Sequence, residues 1–113
     1  MKTYGVTGSD TLLILNRKTS AKVFIDEIVF LKGDVNYTYV YLAGGKMKAV
    51  SRCIKYFEDY LENLGFIRVH RAYMVNPRYI KKKEKDWLMM TNGEIVSVSR
   101  RKQKRFKEQI NDF

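Results

Sequence analysis

Cysteine and histidine are almost missing from this chain: Cys53 and His70 are the only ones. A disulfide framework within the chain is thereby excluded, and a zinc site lacks the soft ligands it needs. No metal and no cofactor is expected. Cys53, at the start of an expected helix, reads as a small buried thiol without chemistry of its own. Long apolar runs are missing too: stretches such as Leu12–Leu15 and Ile28–Leu31 are four residues long, against the ~20 that a membrane-spanning helix requires. Met1-Lys2 leads into Thr3, Tyr4 and Gly5, so no secretory leader is expected and the chain is read as cytoplasmic, with no membrane partner.

Catalytic signatures are equally sparse. His70 has no cysteine near it in sequence and no serine-glycine elbow, and Gly44-Gly45-Lys46 runs into Met47, where a phosphate loop requires Lys-Ser or Lys-Thr. The acidic pairs Asp26-Glu27 and Glu58-Asp59 are adjacent in sequence, so neither pair faces a common site, and surface solvation is the expected role. An enzyme is not expected, and no residue is assigned as catalytic.

What the chain has in excess is positive charge, +10 overall, and that excess is clustered. Residues 68–85 hold seven basic residues and only Glu84 as an acid, and residues 100–107 hold six basic residues and none. The remainder is slightly acidic. Even surface decoration would spread the charge, whereas two basic clusters on an acidic background form an electrostatic footprint for a polyanion.

The 113 residues, 45% of them hydrophobic, suffice for one domain with one continuous core. Residues 1–10 are polar or small and read as an arm or the end of a linker, with the domain over 11–113. Thr11–Asn16, Lys22–Ile25 and Ile28–Leu31 carry β-forming residues, and Tyr37–Ala43 alternates tyrosines with Thr38, Val40 and Leu42 before Gly44-Gly45 turns the chain into Lys46–Val50. Ser51 is placed to cap a helix whose apolar positions are Ile54, Phe57, Leu61 and Leu64, with Glu58, Asp59 and Glu62 facing away and Gly65 ending it. Phe66–Val69 returns to β character, Pro77 interrupts, and Tyr79-Ile80 opens a lysine-rich strand or edge. Trp87–Thr91 and Ile95–Val98 flank Asn92-Gly93, a strong hairpin signal. Ser99 can cap a short basic helix, Arg100–Ile110, with Phe106 and Ile110 on one face. The expected fold is mainly β with one central helix and a short C-terminal helix.

Tyr37, Tyr39 and Tyr41 share one strand face. They can be read as a stacking platform for unpaired bases, or as core, since the opposite face is equally apolar and both sides of the strand can be covered.

Several segments, taken together, resemble a known family: Asp26-Glu27-Ile28-Val29-Phe30-Leu31, Asn36-Tyr37, Phe66-Ile67-Arg68-Val69-His70-Arg71-Ala72-Tyr73-Met74-Val75-Asn76, Gly93, and Val98-Ser99-Arg100-Arg101. In this order, with a helix between the second and third, they resemble the LytTR domain, the output module of bacterial transcription regulators. The resemblance implies an elongated stack of antiparallel sheets that reads double-stranded DNA with loops and strand ends. Position by position, it implies base contacts from Asn36, Tyr37, Thr38, Arg71 and Arg100, with His70 in second rank. Arg71 and Arg100 are the strongest candidates, because a guanidinium can donate two parallel hydrogen bonds to guanine whereas lysine offers mainly a point charge. Lys81, Lys82, Lys83, Lys85, Arg101, Lys102, Lys104 and Arg105 are assigned to phosphates.

The chain departs from the family pattern at Lys32, Val35, Pro77 and Ser97, the first two bordering the first reading loop. A second copy on a repeated site is an expected partner. The family is commonly joined to a receiver domain or a membrane segment, so the chain is expected to be either a stand-alone regulator or an excised domain. Two alternatives stay open: a single-stranded nucleic-acid binder using the tyrosine face, and a protein-interaction module for an acidic partner.

Overall fold

The computed structural model describes residues 12–16, 18, 19 and 21–103. The expected N-terminal arm, Lys104, Arg105 and most of the span of the expected C-terminal helix lie outside the described residues. Two hydrophobic clusters, one on either side of a central sheet, organise everything between.

The first hairpin joins β1 (Leu12–Asn16) to β2 (Ala21–Phe24), with Leu13, Leu15 and Val23 turned inward. Asn16 organises its turn, its Oδ1 accepting from the amides of Lys18 and Thr19. A 3₁₀ turn at Ile25–Glu27 leads into β3 (Ile28–Asp34). This strand runs three residues beyond the expected Leu31, because Lys32, Gly33 and Asp34 keep their ladder partners Tyr39, Thr38 and Tyr37 on β4 (Tyr37–Leu42). β5 (Met47–Val50) follows.

Helix α1 covers Lys55–Asn63. Ser51 does not cap it: Ile54 holds the N-cap position and no side chain caps the helix there, because residues 51–54 are spent turning the chain out of β5. Cys53 falls in that turn and is exposed, which corrects the expected buried thiol. The other end follows expectation. Gly65 sits at φ +100°, its amide donates to Glu62 and that of Phe66 to Leu61, the paired closure of a helix ending on a left-handed glycine. Phe66 and Leu61 then pack in the same cluster.

β6 (Ile67–His70) and β7 (Tyr73–Val75) form a tight hairpin, where the sequence pattern showed a single returning strand. Asn76 is buried beyond β7: its Nδ2 donates to Ile28 O at 3.0 Å, its amide to Val29 O, and its Oδ1 accepts from Arg78 N. A 3₁₀ turn at Pro77–Tyr79 then leads to β8 (Ile80–Lys83), β9 (Trp87–Met90) and β10 (Ile95–Ser97). Gly93, at φ +89°, closes the last hairpin by donating to Met90 O.

The central sheet has the order β5-β4-β3-β7-β6. On one face lie α1 and the β1-β2 hairpin, over Ile28, Leu31, Val40, Leu42 and Met74. On the other lies the β10-β9-β8 sheet, whose Leu88, Met90 and Val96 meet Val29, Phe30, Val69 and Val75. Being covered on both faces explains why β3 reads as a continuous apolar run. A register shift between Ile28 and Phe30 lets Val29 and Phe30 both serve the second cluster. The expected mainly β stack of antiparallel sheets with one central helix is therefore the fold of the described residues, and no helix among them is long and apolar enough to cross a membrane.

Candidate nucleic-acid interface

Strand directions sort the loops to two ends. The β3–β4, β5–α1, β6–β7 and β8–β9 connections and the segment after β10 fall at one end; the β2–β3, β4–β5, α1–β6, β7–β8 and β9–β10 connections fall at the other. Their charges differ. The first end carries Arg52, Arg71, Lys85, Arg100, Arg101 and Lys102 against Asp34, Glu84 and Asp86; the second carries Asp26, Glu27 and Glu94 against Lys46 and Arg78.

One backbone hydrogen bond joins the first end across the layers and a second extends the β9–β10 pairing. Ser99 N donates to Val69 O at 2.8 Å and Val98 N to Asp86 O at 2.9 Å. The chain just before Arg100 is thus fastened to the end of β6, two residues short of Arg71, and to the β8–β9 turn that carries Lys85. Ser99 also begins a helical turn at residues 100–103, with Lys102 N on its carbonyl and on its Oγ at 3.3 Å, the capping role expected for it. Arg71, Arg100 and Arg101 are exposed, and among the described residues neither Arg71 nor Arg100 has an ion-pair partner. Lys81, Lys82, Lys83 and Lys85 are all exposed, with Lys82 Nζ 5.8 Å from the centre of the Trp87 ring.

The first candidate loop is a two-residue turn, Val35-Asn36, between the paired Asp34 and Tyr37. Val35 sits at φ +50°. A β-branched side chain is poorly tolerated there and glycine is the usual solution, so this departure from the family pattern stores strain at an exposed tip. Asn36 and Tyr37 are exposed. Thr38 is not: it is fully buried, and its Oγ1 donates to Arg52 O at 2.6 Å. A hydroxyl enclosed in this way cannot meet a base edge, which corrects its expected role. Thr38 instead fixes Arg52, whose guanidinium stacks 4.6 Å from the Tyr56 ring centre. Sequence reasoning passed over Arg52, which stands in no basic cluster.

The three tyrosines of β4 form a gradient. Tyr41 stacks on Phe30 with ring centroids 4.4 Å apart and nearly parallel planes, Tyr39 is half-buried, and Tyr37 is exposed. None of the three is fully covered, so the expectation of two covered faces is met in part at Tyr39 and Tyr41 and not at Tyr37.

The β6–β7 turn is held at every residue. His70 Nδ1 accepts from Ala72 N at 3.0 Å, Gly33 N donates to Ala72 O at 2.7 Å, and Arg68 donates through Nε to His70 O at 2.9 Å and through Nη2 to Arg71 O. Arg68 Nη1 also pairs with Glu58 Oε1 of α1 at 2.7 Å. Glu58 is therefore not the solvated helix-face acid that its spacing predicted. Gly33 is needed for a second reason: a Cβ there would lie 2.9 Å from Ile54 Cγ2. Neither Arg68 nor Glu58 was singled out from sequence, because the contact between them exists only once α1 lies against β6.

Burial, with the Arg71 and Arg68 charges, pulls the His70 pKa below its ordinary value. A histidine whose folded pKa is lowered contributes stability that is present above its unfolded pKa, near 6.5, and lost as pH falls through the folded value. The melting temperature should accordingly fall more between about pH 7.5 and 5 for the wild type than for His70→Asn, which keeps an acceptor for Ala72 N but cannot titrate. Equal slopes would remove His70 from the account.

The profile of the LytTr DNA-binding domain matches residues 18–111. Among solved structures, the LytTr DNA-binding domain of a protein from Bacillus cereus, described as a methyl-accepting/DNA response regulator, superposes with a TM-score of 0.73 at 26% identity, over 88% of this chain and 95% of that one. Comparison with curated proteins finds no match. With the family profile spanning most of the chain and the same layered fold in the Bacillus cereus domain, this chain belongs to the LytTR family of DNA-binding domains.

Proposed function

We propose that the basic loop end of this domain binds a short duplex site sequence-specifically and regulates transcription, with the β3–β4, β6–β7 and 99–101 loops entering the major groove. The observation that carries this reading is the fastening of Ser99 to Val69 and of Val98 to Asp86, which gathers Arg71, Arg100 and Lys85 from distant parts of the sequence at one end. Arg71 and Arg100 read guanine edges, to which the planar double donor of a guanidinium is matched. Asn36 and Tyr37 add contacts from the strained β3–β4 tip, and Thr38 supports them from below through Arg52. His70 braces the turn that carries Arg71. Lys81, Lys82, Lys83, Lys85, Arg101 and Lys102, with Lys104 and Arg105 beyond the described residues, neutralise phosphates and set register. A second copy on a repeated site, a cytoplasmic location and, where the domain is part of a longer regulator, an upstream receiver domain or sensor complete the proposal.

A selection from a random duplex pool, followed by competition, tests it. The recovered duplex should displace itself far better than a scrambled duplex or either single strand. Stronger competition by an unpaired strand, together with loss of binding in Tyr39→Ala, would instead favour base stacking on the tyrosine face. Equal competition by every duplex would point to an acidic protein partner.

A further inference from the structure

We propose that Arg68 is a positioning residue for DNA reading, and that Glu58 of α1 sets its plane, so that the β6–β7 turn presents Arg71 in a fixed pose before DNA arrives. The inference rests on the assignment of Arg71 as a reading residue. Arg68 is not itself a DNA contact, for its side chain is only 11% exposed and faces α1. One guanidinium holds the carbonyls of two consecutive residues, His70 and Arg71, and closes on the Glu58 carboxylate with its remaining edge.

Because those donors lie in one rigid plane, fixing one edge on the helix fixes the direction in which both carbonyls must point. The amide of Ala72 is taken by His70 Nδ1 and its carbonyl by Gly33 N. What the turn leaves uncommitted is the Arg71 side chain. A turn locked in this way avoids the ordering cost that a mobile loop would meet on binding, and it holds the donor fork to the narrow geometry that discrimination between bases demands. Glu58 also supplies the counter-charge without which a mostly buried guanidinium is costly. A lysine at position 68 would keep the charge but cannot span two carbonyls and a carboxylate in one plane.

The test uses the whole chain and the duplex recovered by selection with the wild type, against a scrambled duplex, below the melting temperature of each variant. Arg68→Gln and Arg68→Lys should each lower the preference for the selected duplex by about tenfold while affinity for the scrambled duplex stays within about twofold of wild type. Glu58→Gln should lower it several-fold and carries the test if the Arg68 variants do not fold. If Arg68 only glued α1 to β6, melting temperatures would drop while preference stayed intact in every folded variant, and that result overturns the proposal. Loss of preference in Arg71→Ala beside full preference in Arg68→Gln rejects positioning alone. Full preference in Arg71→Ala rejects the reading assignment and this inference with it.

Discussion

Arg71→Ala and Arg100→Ala are each expected to reduce the preference for the selected duplex over single-base variants of it by about 1–3 kcal/mol, with little change in binding to unrelated duplex. The reasoning is geometric. Both side chains are exposed at one end, neither has an ion-pair partner among the described residues, and both project from backbone fixed by hydrogen bonds, Arg71 through Arg68 and His70 and Arg100 through Ser99. A bidentate donor replaced by a methyl group leaves the guanine acceptors without their partner, and only at the base pair that it read. Discrimination should therefore collapse at one position for each variant, at different positions for the two. Competition with a panel of single-base substitutions measures this directly. Full preference in both variants would show that the assignment of the reading residues is wrong.

Affinity should fall roughly a thousandfold between about 50 and 200 mM salt if about six phosphates are neutralised. The candidates are the exposed Lys81, Lys82, Lys83, Lys85 and Arg101 and the half-buried Lys102, and their effect should differ in kind from that of Arg71 and Arg100. A neutral substitution at any position that meets a phosphate should weaken selected and scrambled duplex alike and reduce the slope of log affinity against log salt by about one. A flat salt profile would rule out a phosphate-bound interface. A slope that survives loss of all the β8 lysines would move the phosphate contacts to the segment after Ser99. The lysines stand on an edge strand of the outer sheet, so some of the series should be nearly silent, and the pattern of silent positions would trace how far the duplex extends across that sheet.

Much of the architecture was legible before any coordinates, because it rests on local rules. The tyrosine alternation of β4, the Gly65 helix end, the Asn92-Gly93 hairpin and the Ser99 cap each depend on a few neighbouring residues, and each is present. The errors fall where distant segments compete with local preference. Ser51 is a good cap by type, yet the chain needs that segment to leave β5; Cys53 is small and apolar, yet it lies in the same exposed turn. Thr38 matched a reading position, and only its packing beneath Arg52 shows that its hydroxyl is already engaged. Glu58 carried the spacing of a solvent-facing acid until the approach of β6 brought Arg68 to it.

The amino-acid sequence alone determined the two basic clusters, most of the strands, the central helix and the family motif, since charge, periodicity and turn chemistry are properties of short windows. Only the tertiary structure decided that Arg71 and Arg100 share one end, that Thr38 is enclosed, and that an internal guanidinium holds the turn between His70 and Ala72. Those outcomes depend on which strands lie side by side across the central sheet, and contacts between residues tens of positions apart leave no periodic trace in a single chain.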